Sequence, residues 1–408
     1  MSARKAYRAG TDRLVAPEET LRRIEPLLPA MGITRVSDVT GLDSIGIPVY
    51  MACRPNSRAL SVSQGKGLDP VAARASAIME SVEMFHAERI RAPLVYATHA
   101  HMRAHAPVAD PWLLPRAVTS PFTDHVPIPW IAGRDVVCGQ ETYVPYEVTH
   151  TDFRHPRPVG SGCFLASSNG LASGNHFLEA ASHAICEVIE RDSMSIFTAC
   201  SGEASNRTRV DLSTVGDPLC REALERFDAA GVDVGVWDAT SDVGIATMSC
   251  RIVERHPDPV RALYDAAGSG CHPRREIALL RAMTEAAQSR VTVIAGSRDD
   301  AEQNDYRRLR DADGLRESRA ALRSGGASVR FDAVPTFSGE TFEDDLAHEL
   351  GRLRAVGIRQ AVLLDLSLPE LGVAVVRAVI PGLENVAAVG AGVQPLAGPR
   401  LQRLLAAA

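Results

Sequence analysis

Residues 69–85 run Asp69-Pro-Val-Ala-Ala-Arg-Ala-Ser-Ala-Ile-Met-Glu-Ser-Val-Glu-Met-Phe85. Asp69 suits a helix N-cap and Pro70 its first turn. On the helix that follows, Ser76, Glu80 and Glu83 fall at i, i+4 and i+7, one face of a 3.6-residue period, while Ile78, Val82 and Phe85 lie opposite. The apolar face predicts an anchor in the core. The Ser and the two Glu then project together into something else. Immediately upstream, Ser61-Val-Ser-Gln-Gly-Lys-Gly67 brackets Lys66 between two glycines.

Two further segments repeat this design. Ser167-Ser-Asn-Gly-Leu-Ala-Ser-Gly-Asn175 is a glycine-rich turn that leads into a helix through Arg191. On it Glu179, His183, Glu187 and Glu190 share one sector, with Ala181, Ile185 and Val188 behind them. Between Ile277 and Val291, Arg281, Glu285 and Gln288 again sit at i, i+4 and i+7, opposite Leu280, Met283 and Ala287. Glutamate is a good helix former and belongs in water, so any one of these faces could simply be solvated. Together they argue otherwise. Apart from Glu187, which has Arg191, these glutamates lack the i+4 Lys or Arg common on solvated helices; two of the helices follow glycine-rich turns; and Glu-x-x-Glu occurs twice. Like charges on one face repel, and a divalent cation relieves them. Hard oxygen ligands select Mg2+ or Ca2+, and Mg2+ commonly joins one or two carboxylates to substrate phosphates. Lys66, Arg191, Arg281 and the N–H groups of the Gly turns could face phosphate without a Walker motif, which is absent here.

The remaining sequence sets the frame. With 408 residues, 44 basic against 50 acidic side chains and 45% hydrophobic content, the chain has material for a large core and carries a net charge of −6. That balance argues against a nonspecific nucleic-acid binder. No apolar run reaches the roughly 18 residues of a membrane span, and the basic N-terminus lacks a signal-like apolar stretch, so the expectation is a cytoplasmic protein with no membrane or nucleic-acid partner. Eight scattered cysteines without Cys-x-x-Cys spacing read as reduced thiols. The first 55 residues read helix, strand, strand (Leu21 to Leu28, then 32–36 and 47–52), and the last 70 repeat that grammar (Leu346 to Val356, then 361–366 and 373–379). This predicts an α/β (α+β) fold with two related α/β halves around a central site. Residues 92–130, rich in Pro and His, and 296–324, crowded with charge, read as surface excursions. His99, His101 and His105 lack a completing ligand for zinc, Cys271-His272 reads as buried structure more readily than as a sulfur relay, and His183 as an acid, a base or a hydrogen-bonding support.

These motifs resemble the YcaO superfamily of ATP-dependent enzymes that activate peptide backbone amides. The resemblance lies in Gly65-Lys-Gly67, Ser76-x-x-x-Glu80-x-x-Glu83, Ser168 to Asn175, Glu187-Val-Ile-Glu-Arg-Asp192 and Arg281-Ala-Met-Thr-Glu-Ala-Ala-Gln-Ser-Arg290. It implies one YcaO-type catalytic domain over 1–408, with an ATP- and Mg2+-binding core over 56–300, and a homodimer. It implies Mg2+ ligation by Glu80, Glu83, Glu187 and Glu190. Nucleotide contacts are implied for Ser76, Asn175, Glu179, Arg191, Arg281 and Glu285, and for Arg13 and Thr20, which stand where the family has Lys and Ser; Lys66 joins them on charge. Met84 replaces the Arg usual after the second Glu. The implied chemistry is O-phosphorylation of a hemiorthoamide on a ribosomally made peptide or protein. The chain ends Leu401-Gln-Arg-Leu-Leu-Ala-Ala-Ala408 without the Pro-rich tail of azoline-forming members. Residues 268–273, 295–300 and 380–384 are similar to members that form thioamides with an external sulfur source and a TfuA-type partner. The alternatives are an azoline-forming cyclodehydratase acting on Cys, Ser or Thr, and a non-turnover ATP-binding scaffold.

Overall fold

Asp69 accepts a hydrogen bond from the Ala72 N–H at 2.8 Å, which starts the helix expected there. The computed structural model describes residues 2–200, 207–256, 265–298, 300, 306–307, 311–324, 326–385 and 393–407. Its first unit is helix α1 (Pro17–Ile24), strands β1 (Arg35–Asp38), β2 (Val49–Cys53) and β3 (Val62–Lys66), and helix α2 (Pro70–Ala87). The strands form an antiparallel meander and α2 lies across it. The approach is close enough to require glycine: a Cβ on Gly65 would sit 1.9 Å from the Ala77 nitrogen. Ile78 and Val82 are fully buried in the resulting core, as the period demands, and Phe85 is half-buried.

After β4 (Leu94–Thr98), α3 (His99–His105), β5 (Pro127–Asp135) and β6 (Gln140–Pro145) come β7 (Leu171–Gly174) and α4 (Phe177–Ala199). Following β8 (Val210–Asp211), the helix–meander–helix unit returns as α5 (Pro218–Ala229), β9 (Val232–Asp238), β10 (Thr247–Glu254), β11 (Ala266–Cys271) and α6 (Arg275–Ala295). Here Gly268 and Gly270 admit the helix backbone, their Cβ positions lying 2.3 Å from Ala286 N and Ala278 O.

Helix α7 (Ala312–Ser324) and β12 (Val329–Arg330) precede α8 (Phe342–Ala355), β13 (Val362–Asp365) and β14 (Ala374–Val379), and α9 (Pro399–Ala407) follows. Strand β14 pairs with β7, so α8, β13, β14, β7 and α4 compose a third unit from both ends of the fold. The grammar read at the two termini therefore occurs a third time in the middle. Its strands, of seven, eight and six residues, are longer than most of those at the termini.

Three apolar clusters hold the units: one with Ile78 and Val82 that also takes in Val362, Leu364 and Val375 of β13 and β14, one with Phe227 and Met283, and one with Ile185 and Leu353. Residues 92–130 are more structured than a surface excursion. They contain β4 at the edge of a six-stranded sheet, short α3 and loops that send Met102, Leu114 and Phe122 inward. In 296–324, α7 packs Leu315 and Leu322 against Val253, while residues 299, 301–305 and 308–310 lie outside the described residues. No helix among the described residues is long and apolar enough to cross a membrane.

Candidate active site

Helices α2, α4 and α6, each entered from the last strand of its meander, turn their polar faces into one cavity of about 630 Å³. Ser76, Glu80 and Glu83 come from α2; Glu179, His183, Glu187, Glu190 and Arg191 from α4; Arg281, Glu285 and Gln288 from α6. Lys66, Asn175, Arg13 and Thr20 line the same space. Every candidate residue named from sequence thus meets the others here, although the lining begins at Ala9, well before residue 56. The tenth residue after the first of each helix is a glutamate, Glu80, Glu187 and Glu285. Three positions on stand Glu83, Glu190 and Gln288.

The three units grip one another in a ring. Glu83 of α2 accepts hydrogen bonds from the N–H and hydroxyl of Ser173 on β7, at 2.8 and 2.7 Å. Glu190 of α4 accepts from the Ser269 hydroxyl at 2.6 Å and the Cys271 N–H at 2.9 Å, both on β11. Glu285 of α6 pairs with Lys66 of β3 at 2.7 Å. Glu80 accepts the Gln64 N–H at 3.0 Å, and Glu187 has Arg191 at 3.9 Å. Ser173, Ser269 and Gln64 were not singled out from sequence. The available signal was a polar residue in the last strand before each glutamate-bearing helix.

Electrostatics divide the glutamates. Burial, reinforced by Glu80 and Glu187, pushes the Glu83 carboxyl up to about 8. Burial, with Glu190 and Glu285 nearby, pushes Glu187 up to about 7. Glu80 and Glu190 are raised for the same first reason. Glu285 is the exception, because Lys66 and Arg191 outweigh burial and hold its carboxyl below the usual range. Burial and the nearby Arg281 and Arg13 keep the His183 imidazole well below its ordinary value, so it stands neutral.

This donor set suits hard cations. One oxygen each of Glu80 and Glu83, and both of Glu187, accept no protein hydrogen bond among the described residues, and their mutual repulsion falls when a cation enters. The four paired glutamates do not converge on one point as a closed cage would. Mg2+ does not require that, since it commonly takes one or two carboxylates and fills its octahedron with phosphate oxygens and water. The one group of three candidate ligands whose atoms lie within 4.8 Å, among the described residues, is Asp12, His272 and Asp345. There the Lys5 ammonium already sits 3.0 Å from Asp12 and 2.6 Å from Asp345.

At one side of the cavity the N-terminal segment is tied to α4. Leu14 N–H donates to Glu179 at 3.1 Å, Arg13 lies 3.8 Å from the same carboxylate, and Asn175 donates to the Thr20 hydroxyl at 3.0 Å. Arg281 donates to the Cys271 carbonyl at 3.1 Å. The Cys271 thiol is buried beside Cys186, so its part in the site is through its backbone. His99 is buried in a stack on Trp130 and bonded to Asp124, whereas His101 and His105 stack on each other outside.

A family model described as YcaO cyclodehydratase, ATP- and Mg2+-binding, matches residues 64–384. A Rhizobium leguminosarum bv. trifolii protein described as an uncharacterized protein in the tfuA 3′ region is 40% identical over 377 residues, 91% of this chain and 89% of its own. Among solved structures, a heterocyclase in complex with substrate and cofactor superposes with a TM-score of 0.75 at 20% identity, covering 95% of this chain and 54% of that one. The YcaO from Methanopyrus kandleri bound with AMPPCP and Mg2+ superposes with a TM-score of 0.73 at 22% identity, covering 97% and 98%. At such identities the two structures speak to the fold.

Proposed function

The chain belongs to the YcaO family, whose members bind ATP and Mg2+, and on that premise we propose that it replaces a peptide backbone amide oxygen with sulfur from an external donor. The amide, hydrosulfide and ATP give the thioamide, ADP and phosphate, the amide oxygen leaving as a phosphate oxygen. The observation that carries the ATP- and Mg2+-dependent part of this reading is the pair of Glu-x-x-Glu faces on α2 and α4 opening into one cavity with Lys66, Arg191 and Arg281.

Glu80, Glu83, Glu187 and Glu190 would hold Mg2+. Bound there, the metal supplies charge neutralisation for the phosphoryl group in transfer. Arg191, Arg281 and Lys66 orient phosphate oxygens, and Ser76, Asn175, Glu179 and Glu285 position the rest of the nucleotide. Arg13 and Thr20 complete that side, supported by their ties to Glu179 and Asn175. Neutral His183 offers a nitrogen that can accept a proton or a hydrogen bond. The tfuA-region description of a 40% identical relative supports the thioamide product and a TfuA-type partner.

The test is ADP and phosphate release from ATP and Mg2+ with candidate precursor peptides and sulfide, with and without such a partner, while peptide mass is followed. A sulfide-dependent mass gain equal to the difference between sulfur and oxygen, matched by ADP, is the expected result. Loss of one water without sulfide would identify an azoline-forming cyclodehydratase. Tight ATP binding without turnover on any peptide would point to a scaffold.

A further inference from the structure

Strand β4 ends its sheet with an unprotected apolar edge. Leu94, Val95 and Tyr96 are 45%, 37% and 56% exposed, and among the described residues β4 pairs with β5 alone. The parity of that pairing is fixed on the far side of β5. Tyr143 of β6 gives its N–H to the Pro107 carbonyl and takes the Ala109 N–H, both at 2.9 Å, so its backbone faces away from β5. Alternation then turns Ile131 and Gly133 toward β6, and Ile128 and Trp130 toward β4. Pro127 and Pro129, with no N–H to give, fall on the parity that faces away from β4. Hence Val95 and Ala97 bond to β5, while Leu94 and Tyr96 direct their N–H and C=O groups outward, where no described residue meets them.

Folded proteins blunt such edges with charge, proline or a bulge. Residues 94–98, Leu-Val-Tyr-Ala-Thr, carry neither charge nor proline, and their register with β5 is unbroken. The surroundings have one sign. Residues 89–109 include three arginines, three histidines and no carboxylate, in a chain whose net charge is −6. Arg91 is paired with Glu370 at 2.7 Å, whereas Arg103 of α3 is exposed with no ion pair among the described residues. Antiparallel pairing with a second copy would bring the Arg91 end of each β4 against the α3 end of the other, two segments without a carboxylate. An extended peptide with apolar residues along one strand and acidic ends has the complementary backbone and the complementary sign. Residues 88–93 are all that separates β4 from α2, the helix of Glu80 and Glu83.

We propose that the outer edge of β4 docks an extended segment of the peptide substrate as an added strand, Leu94 and Tyr96 supplying the backbone ladder and Arg103 of α3 drawing the segment's acidic end. This rests on the reading of the chain as a peptide-modifying enzyme. It adds where the peptide is held outside the cavity.

The experiment uses the full chain and a fluorescein-labelled peptide of alternating valine and threonine with acidic ends, followed by anisotropy, with AMPPCP affinity in Mg2+ measured in parallel. Tyr96→Pro removes an outward N–H that β5 does not use, and should weaken the probe by about tenfold or more while AMPPCP affinity stays within about twofold. Arg103→Glu should weaken the probe by about threefold or more, and the same probe with lysine ends should bind wild type more weakly. Should Tyr96→Pro not fold, Tyr96→Glu, a change at an exposed side chain, carries the test. Equal probe binding in wild type and the Tyr96 variants, or none in wild type that still binds AMPPCP, overturns the docking edge and leaves the nucleotide reading standing. A wild-type dimer that Tyr96→Pro turns into a monomer, with probe binding unchanged, overturns it in favour of a second copy. Wild type that binds no AMPPCP with Mg2+ overturns the enzymatic reading and this proposal with it.

Discussion

Lys66 Nζ lies 2.7 Å from Glu285 Oε2, joining β3 of the first unit to α6 of the middle one. Ser173 with Glu83 and Ser269 with Glu190 make the other two junctions. The polar faces of three helices, far apart in sequence, are thereby held at fixed positions around one space. Each junction joins a helix to the last strand of another unit, so no single unit builds the site alone.

The Lys66 and Glu285 side chains are 24% and 30% exposed, so the pair should contribute no more than about 1 kcal/mol to stability. Its work is positional: it holds Glu285 ionised and turned toward β3. Lys66→Ala is expected to leave the melting temperature nearly unchanged while lowering AMPPCP affinity in Mg2+ by about tenfold, a loss in keeping with a charge-assisted contact. A large fall in melting temperature with unchanged affinity would reduce Lys66 to a structural residue.

Glu187 has the weakest protein partnership of the paired glutamates, Arg191 at 3.9 Å. Gln is nearly isosteric, so Glu187→Gln should fold and keep its affinity for AMPPCP in EDTA. In Mg2+ the variant should lose at least about tenfold in affinity, the scale expected for removing an anionic ligand from a metal site. Calorimetry with and without Mg2+ separates the two. Equal affinities for variant and wild type in Mg2+ would remove Glu187 from the metal site.

Stability of the metal-free protein should fall as pH rises. Glu83 and Glu187, pushed up to about 8 and about 7, hold protons that the unfolded chain has already released above its ordinary carboxylate range. The folded state therefore binds more protons between about pH 5 and 8, and the stabilisation present at the acid end is lost as pH climbs through the folded values. Melting in EDTA should drop across that window, and Mg2+ with AMPPCP should flatten the curve. The buried neutral His183 and His272 give the opposite slope up to the unfolded imidazole range, so the drop is read between about pH 7 and 8, where a melting temperature that rises in EDTA would contradict the raised carboxyls.

The helices and their polar faces were legible because eighteen or more residues repeat a 3.6 period with apolar anchors behind. The cavity contents followed, since faces that share one design and lack solvent partners must meet something. The ring itself was not legible. Ser173, Ser269 and Gln64 are single polar residues in strands, and the pairing of β7 with β14 joins residues about two hundred apart, a distance at which local pattern is silent. The anchoring of the final helix was equally hidden. Arg400 of α9 pairs with Asp192, the residue after Arg191, and Glu384 accepts the Gly398 and Leu401 N–H groups at 2.9 and 3.0 Å. Nothing in a terminal Arg-Leu-Gln stretch announces a buried ion pair.

The link from backbone packing to site geometry can be tested at Gly65. A Cβ there would stand 1.9 Å from Ala77 N and 2.4 Å from Ala73 O, both helix backbone, which cannot yield as a flexible side chain would. Gly65→Ala must push α2 away from β3, and overpacking of this kind costs about 1–3 kcal/mol or more. Because the same helix carries Glu80 and Glu83, the displacement should also weaken Mg2+-dependent AMPPCP binding, even at temperatures where the variant remains folded. Gly41→Ala, at a glycine with nothing within 4 Å of its added Cβ and no positive φ, is the matched control and should leave both properties unchanged. A folded Gly65→Ala with wild-type melting and wild-type nucleotide affinity would show that α2 and β3 have slack between them, and that the carboxylates are placed by the ring contacts and not by this close packing.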